Sequence, residues 1–415
     1  MNNIIERGKR YMSKNNNNFF KEKKLWSIVK DGLLGCYLTP YLQKILYTGK
    51  PTIYVDCFAG KGAFEDGSYG SPIIALEAIK KCLEKSKKND AGITAYFIEL
   101  NHADELKNNL SQYKLPSENI ISGRFEESIV DLLNKNCGKN LFLYIDPYGI
   151  KGLNQEMFGK FATCNRFNSV ELLINLNSFG FIREACRVLG VKFDDNIIMD
   201  DLVEYESTKL DENQKSVDIL NKIAGGDYWQ DIIMQKNRGF ISTVQAEAKF
   251  SEEYCNRLKR YYNFVLNMPL RIKAGQQPKY RMVHATNHID GCLLMVDNIC
   301  GRWELMKDIQ NNDQLSLFAE DINNNLVDYD VLSGLFIKHM QRYDKRNGLN
   351  EILADFFMEN GPVCAQKDVK KIIRSLNEKG MLKIDRYPAL TRQGMPSTFL
   401  SEDKNHKVIL ERRNI

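Results

Sequence analysis

The sequence lacks the patterns that mark membrane, secreted and zinc-binding proteins. Its ten cysteines form no CxxC pair, so their spacing predicts neither a zinc site nor a disulfide framework. No stretch approaches the roughly 18 apolar residues of a membrane-spanning helix. The opening MNNIIERGKR has no apolar run of the kind found in signal peptides. We therefore expect a cytoplasmic protein with reduced thiols and no membrane contact.

The chain has little excess charge of either sign. Lys and Arg number 58 against 53 Asp and Glu, which gives a net charge of +5. This balance permits a nucleic-acid partner but does not require one. The 415 residues are 43% hydrophobic and 27% charged, a composition typical of globular proteins, and they leave room for two or three domains.

Alternating strand and helix patterns dominate the first two thirds of the chain. Residues 1–18 are polar and end in NNNN, which predicts a disordered leader, with Met12 as an alternative start. After a first helical pattern, apolar runs such as TIYVDCF and LFLYIDP are each followed by an amphipathic helix pattern. Strands that alternate with helices form parallel sheets covered on both faces, so we predict a Rossmann-like α/β domain over residues 19–325.

Two regions depart from this alternation. Residues from about 195 to 275 are more charged and read as a helical insertion, after which PKYRMVHATNHIDGCLLMVDNI returns to a strand and a helix. From residue 330 to 415 the pattern is helix, helix, strand, strand, with basic residues on the second helix and near the strands. That order predicts a winged-helix domain, a fold that binds DNA, RNA or protein.

The segment YVDCFAGKGAF places a glycine-rich turn directly after the first predicted strand. Glycines lack Cβ, so the backbone there can turn sharply and approach a ligand closely. A full dinucleotide fingerprint would need a third small residue where Glu65 stands, which disfavours NAD or FAD and is compatible with S-adenosylmethionine. We therefore expect cofactor contacts from Asp56, Phe58, Ala59, Gly60 and Gly62.

Two acids complete the predicted cofactor site. Asp56 can face the ammonium group of the methionine portion, and Glu99, at the end of the second strand, can accept hydrogen bonds from the ribose hydroxyls. The alternative is a plain tight turn with Glu99 as a solvated strand end.

The segment FLYIDPYG ends the fourth predicted strand with a second acid and a turn. Ligands of open parallel sheets bind beyond the carboxyl ends of the strands, so Asp146 should emerge beside the glycine-rich turn. Its carboxylate and the Pro147 carbonyl can accept hydrogen bonds from an amino group, while Tyr148 offers a ring for a planar base. We assign catalytic roles to these three residues; the alternative is an ordinary turn that Asp146 caps.

The substrate side of the predicted site is less well defined. We expect Gly149 and the residues after the fifth strand, Asn175, Asn177 and Arg183, to line it, although loop capping and a surface arginine explain them equally well. Chemistry at cytosine C5 would need a nucleophilic cysteine, usually after proline, and the chain has no Pro-Cys, so nitrogen is the better target. His284 and His288 have a metal-like spacing only if helical, and HATNH reads as a strand and turn, so no metal is predicted.

Several stretches together resemble the three-Cys-motif partner (TcmP) family. They are FFKEKKLWSIVKDGLLGCYLTPYL, YVDCFAGKGAFEDGSYGSPIIALEA, FLYIDPYGIKGL, ELLINLNSFGFIR and YRMVHATNHIDGCLLM. The resemblance implies a class I methyltransferase-like core, a C-terminal winged helix and a partner of the phage Gp37/Gp68 type that looks like a radical-SAM protein. Where such methyltransferases often carry Gly-Asp-Phe near the adenine, this chain has Gly123-Arg124-Phe125, so that only Phe125 is expected to pack on the ring.

Two functions follow as hypotheses. The first is an S-adenosylmethionine-dependent methyltransferase that acts on an amino nitrogen of a nucleobase in RNA or DNA and works with a three-Cys-motif partner. The second is a non-catalytic adaptor that docks the same partner and recruits a nucleic-acid target. Arg124 and the modest net charge favour the adaptor, whereas the intact DPYG favours the enzyme.

Overall fold

A computed structural model shows a mixed α/β protein. It describes residues 21, 23, 25–86, 92–163, 166–193, 214–270, 280–313, 327–343 and 346–413. The predicted leader, residues 1–18, lies outside the described residues.

A mostly parallel sheet of seven strands forms the centre of the molecule. In chain order the strands are β1 Thr52–Asp56, β2 Ile93–Glu99, β3 Ile120–Ser122, β4 Asn140–Ile145, β5 Ser169–Leu176, β6 Phe264–Leu270 and β7 Tyr280–Thr286. They lie in the order β3-β2-β1-β4-β5-β7-β6, and β7 runs antiparallel to the other six strands. The sequence-based prediction of a buried parallel sheet is therefore confirmed.

The described residues form 13 α-helices, which cover both faces of this sheet and continue beyond it. They are α1 Leu25–Leu46, α2 Ser71–Lys85, α3 Ala103–Leu110, α4 Phe125–Lys135, α5 Gln155–Thr163, α6 Ser178–Val188, α7 Gln214–Ala224, α8 Tyr228–Asn237, α9 Thr243–Leu258, α10 Ile289–Asp313, α11 Tyr329–Met340, α12 Leu349–Asn360 and α13 Gln366–Glu378. Among them, none is both long and apolar enough to cross a membrane.

Successive strand residues contribute to two different apolar cores, as the period of two along a strand requires. Tyr54 packs with α1, α2, α3 and α10 on one face, whereas Ile53 and Val55 pack with the layer of α4 to α9 on the other. Burial on both faces explains why these strands are continuous apolar runs.

The helical insertion is shorter than predicted. Helices α7 to α9 fall within the predicted range of 195–275, but Phe264–Leu270 forms an edge strand of the sheet. The predicted end at 275 is therefore wrong. Pro269 weakens the strand pattern in the sequence. A proline is tolerated here because an edge strand has one unpaired side.

The C-terminal part adds a small antiparallel sheet to three helices. Its strands are β8 Asn347–Gly348, β9 Leu382–Tyr387 and β10 Lys407–Arg412, in the order β8-β10-β9. This part packs on the central domain: the Val265 amide donates to Met358 Sδ at 3.2 Å, and the Gln366 amide donates to Asp297 Oδ1 at 2.9 Å. Apolar residues of both parts belong to one buried cluster, so the C-terminal part does not have a separate core.

Candidate functional site

The site is built at the carboxyl ends of β1 and β4. These strands are neighbours, but β2 follows β1 on one side and β5 follows β4 on the other. The chain direction across the sheet therefore reverses between them, and open α/β sheets bind ligands at such a switch point. The amide of Cys57 donates to the carbonyl of Tyr144 at 2.9 Å, so the loops after β1 and β4 start side by side.

The glycine-rich turn after β1 has a conformation that requires glycine. Gly60 and Gly62 have φ of 62° and 80°, in the left-handed region. A Cβ on Gly62 would lie 2.9 Å from Leu106 Cδ1, and the Gly62 carbonyl accepts from the Gly70 amide at 2.9 Å. The turn is therefore pressed against α3 and tied to the start of α2.

Asp56 holds this turn together from inside the protein. It is fully buried; Ser71 Oγ donates to its Oδ2 at 2.6 Å and the Phe58 amide donates to its Oδ1 at 3.3 Å. Burial raises the pKa of the carboxyl to about 7, although both hydrogen bonds act to lower it. The predicted contact with a ligand ammonium is not supported, because the two oxygens are bound by the turn and by the start of α2, and none of the residue reaches solvent.

Glu99 is placed beside the turn as predicted, but its oxygens are largely engaged. Oε2 accepts from the Gly60 amide at 2.8 Å, while Oε1 accepts from the amides of Asn101 at 2.8 Å and His102 at 3.1 Å. A carboxylate offers about four lone-pair sites. In this arrangement Glu99 can take one further hydrogen bond on Oε2, so a two-point grip on a ribose would require one of these amides to be released.

The aromatic residues of the predicted cofactor site pack on one another. Phe125 is 3% exposed, and its ring centre lies 5.2 Å from that of Phe58. A Cβ on Gly152 would collide with the Phe58 ring and lie 2.9 Å from Pro147 Cβ, so Phe58 bridges the loops after β1 and β4. Ala59 is buried, and its amide donates to the Ile98 carbonyl at 3.0 Å. Phe125 thus serves the inner wall of the site, and a direct contact with an adenine would require Phe58 or Phe125 to move.

Asp146 forms an ion pair that the sequence did not reveal. Lys30 Nζ in α1 lies 2.9 Å from Oδ1 and 2.7 Å from Oδ2 of Asp146. Asn175 Nδ2 donates to Oδ1 at 2.6 Å, and Tyr144 OH donates to Oδ2 at 3.4 Å. The side chains of Lys30 and Asp146 are 7% and 22% exposed, so this pair is largely withdrawn from water.

A second ion pair joins the start of α1 to the segment before it, and the two ion pairs together form a polar row. Lys23 Nζ lies 2.6 Å from Asp31 Oδ2. Burial raises the pKa of Asp31, and the nearby Lys23 and Lys30 lower it by less. The only sequence signal for the row was the pair Lys30-Asp31 inside an otherwise apolar helical pattern, and pairing across 116 residues could not be read from it.

Asn175 belongs to the site, and one of its polar atoms has no hydrogen-bond partner among the described residues. The residue is 2% exposed, and its Oδ1 has no hydrogen-bond partner among the described residues. A buried polar atom without a partner costs roughly 1–3 kcal/mol, so such an atom needs an explanation. Because Asn175 Nδ2 is bound to Asp146, its Oδ1 is an unused acceptor next to that carboxylate.

The remaining predicted residues divide between the site and its supports. Pro147 is buried, Tyr148 is 51% exposed at the start of the turn, and Gly149 has a φ of 90°. Asn177 is the N-cap of α6: its Oδ1 accepts from the Gly180 amide at 2.9 Å, which supports the loop-capping alternative for this residue. Arg183 lies on α6, partly exposed, and its predicted substrate contact stays a prediction.

A separate buried cluster lies under α1. Tyr37 OH donates to Glu171 Oε1, and His284 Nε2 lies 2.9 Å from the same oxygen. All three residues are at most 5% exposed, which explains the polar positions in these elements as internal pairing. Across the described ranges, no group of three or more His, Cys, Asp or Glu side chains is placed to hold a metal ion.

No protein-family model matches the chain, and no curated protein matches it either.

Proposed function

We propose that the chain is an S-adenosylmethionine-dependent methyltransferase acting on an amino nitrogen of a nucleobase in RNA or DNA, together with a three-Cys-motif partner. The observation that carries this proposal is the free acceptor Asn175 Oδ1 beside the Asp146 carboxylate, at the switch point of the sheet. An amino group has two hydrogens to donate, and here two acceptors converge. Asn175 Oδ1 is buried, so the side chains that cover it must move for a substrate to reach it.

The arrangement suits an amine better than other acceptors. One N–H can donate to Asp146 and the other to Asn175 Oδ1, which directs the nitrogen lone pair away from both. The exposed Tyr148 ring, at the head of the same turn, offers a stacking surface for the base that carries the amine. In a duplex, that base would have to be flipped out of the helix to arrive there.

Lys30 must be displaced, at least in part, when the amine binds. It contacts both oxygens of Asp146, so an incoming N–H competes with the ammonium for the same lone pairs. As the nitrogen gains positive charge during transfer, the Asp146 carboxylate stabilises that charge and holds the departing proton. Lys30 offsets part of this effect, and it keeps the carboxylate paired in the absence of substrate.

The residues around the first turn fit the proposed cofactor in part. Gly60 and Gly62 allow the left-handed backbone of the turn, and Glu99 Oε2 retains one acceptor site for a ribose hydroxyl. When bound, S-adenosylmethionine supplies an electrophilic methyl group. The strand order, with a single reversed strand near one edge, is typical of class I methyltransferases and supports the same assignment.

The C-terminal part supports the proposal of a winged helix. Its order of helix, short strand, two helices and a hairpin is typical of that fold. Lys367, Lys371 and Arg374 are exposed on α13, the helix that such domains often present to a nucleic acid. We propose that this surface contacts the phosphates of the substrate.

The adaptor remains a second candidate because of a specific observation. Asp146 is already paired at both oxygens, and Glu99 already accepts three amides, so the chain provides partners for both carboxylates without ligands. An adaptor would keep these contacts permanently.

Methyl transfer from labelled cofactor to RNA and DNA, with and without the three-Cys-motif partner, separates the two. Wild type should label one pool, and Asp146→Ala should lose turnover by about 10²-fold or more, the scale of a misplaced reacting group. Asp146→Asn should lose less, because its amide oxygen still accepts. If no pool is labelled with the partner present, the adaptor is favoured.

A further inference from the structure

A surface cavity of about 320 Å³ lies among α5, α7 and the segment after α9. Phe264 follows that segment and pairs with Thr286, which pairs in turn with Glu171 near the start of β5. The segment after α9 therefore lies toward the amino edge of the sheet, away from Asp146. No residue of the proposed methyl-transfer site lines this cavity.

Two cations in the cavity wall have no ion-pair partner among the described residues, although Lys222 adds to the larger effect of Lys160 in lowering the pKa of Glu156. Lys222 and Arg260 are exposed, and neither side chain forms an ion pair or hydrogen bond with any residue that the structure describes. The one acid in the wall, Glu156, is paired with Lys160 at 2.7 Å. The excess charge facing the cavity is therefore positive.

A third cation is held rigidly at the same place. Arg257 Nε donates to the Gly225 carbonyl at 3.0 Å, Nη1 pairs with Glu253 Oε2 at 2.9 Å, and the guanidinium lies 3.8 Å from the Tyr228 ring centre. These contacts fix the plane of the guanidinium. They leave its Nη2 amino group without a hydrogen-bond partner in the described part of the chain.

A buried neutral donor completes the set. Gln155 lines the cavity and is 3% exposed, and its Nε2 finds no hydrogen-bond partner among the described residues. Gly225 has a φ of 72°, and a Cβ there would collide with the Gln155 amide, so the backbone packs directly on this side chain. The unused groups of Gln155, Arg257, Lys222 and Arg260 are all donors, which is the requirement for an anion.

We propose that this cavity binds the phosphate of a nucleotide, either free or within a nucleic-acid backbone. A guanidinium with a fixed plane and a free edge suits a phosphate oxygen, and two lysine or arginine neighbours neutralise its charge. Tyr261, 36% exposed in the same wall, offers its ring to the attached base. This phosphate site does not depend on methyl transfer, so its test is independent of the test of the proposed function.

Calorimetry with inorganic phosphate, adenosine monophosphate and a single-stranded ten-nucleotide oligomer tests the site on the full chain. The variant Lys222→Gln/Arg260→Gln removes the two unpaired cations. The control Arg238→Gln/Lys259→Gln removes the same charge from exposed positions outside the cavity, and Lys259 is the direct neighbour of Arg260. A thermal melt of each variant checks that it is folded.

Wild type and control should bind adenosine monophosphate, and the cavity variant should bind it at least about tenfold more weakly, which corresponds to 1.4 kcal/mol. If the backbone of a nucleic acid is the source, the oligomer should bind more tightly than the mononucleotide and lose affinity steeply with salt. If a free nucleotide is the source, the oligomer and the mononucleotide should bind with equal affinity. The absence of binding to all three probes at millimolar concentration, or equal loss in cavity variant and control, would overturn the proposal.

Discussion

The ion pair between Lys30 and Asp146 makes the strongest prediction for stability. Removing one partner of a buried pair leaves an uncompensated charge and costs about 3–5 kcal/mol when burial is complete. Lys30 is 7% exposed and Asp146 22%, so the carboxylate keeps some contact with water. We therefore expect Lys30→Met to lower the free energy of unfolding by only ~2–3 kcal/mol.

A double-mutant cycle separates this pairing from packing. Asp146→Asn alone removes the carboxylate that contacts the buried Lys30 ammonium and leaves Asp31 as a nearby acid, whereas the double variant Lys30→Met/Asp146→Asn removes both charges of the pair. The loss of unfolding free energy in the double variant should be smaller than the summed losses of the two single variants by ~1–3 kcal/mol, which is the coupling energy of residues in contact. Urea unfolding followed by circular dichroism measures all four proteins. Strict additivity would refute the pairing, because residues that do not interact show no coupling.

Three further predictions concern the supports of the site. Because the pKa of Asp56 is raised, the folded state holds the proton of this carboxyl up to pH about 7, whereas the unfolded chain releases it near pH 4. The stability of wild type should therefore fall as pH rises between these values, by at most ~1.4 kcal/mol per pH unit. Asp56→Asn should flatten this slope in melts from pH 5 to 8, and an unchanged slope would contradict it. Glu99→Gln should speed hydrogen exchange at the amides of Gly60, Asn101 and His102, because it loses an acceptor oxygen; equal exchange would show that Glu99 does not anchor the turn. Deletion of residues 327–415 should produce a poorly soluble core, because it exposes apolar surface on α10 and β6; a soluble core with the wild-type melting temperature would mean that the shared cluster contributes little.

The sequence predicted the central elements because their patterns are local. The runs TIYVDCF, LFLYIDP and SVELLINL are mainly apolar, as expected of strands buried on two faces. The edge strand Phe264–Leu270 was assigned to the insertion because it contains Pro269 and follows three helices. Edge strands bury less apolar surface and tolerate proline, so their apolar sequence patterns are weaker.

The site was predicted in position more accurately than in detail. Asp56, Glu99 and Asp146 end neighbouring strands, and the topology brings them to one edge as expected. Their partners are tertiary: Lys30 comes from a helix 116 residues away, and Ser71 reaches Asp56 from the next helix. Burial changes the role of an acid, and a single sequence does not report the burial of one side chain.

Binding of S-adenosylmethionine, measured by calorimetry, tests the central claim most directly, and two glycines of one loop provide matched variants. Gly62 and Gly67 have φ of 80° and 81°, so alanine strains the backbone equally at both. Only at Gly62 would the added Cβ meet Leu106, at 2.9 Å; at Gly67 nothing lies within 4 Å. Wild type and Gly67→Ala should bind with similar affinity, and Gly62→Ala should bind at least about tenfold more weakly, or 1.4 kcal/mol. No binding to wild type at millimolar cofactor, with or without the three-Cys-motif partner, would contradict the account.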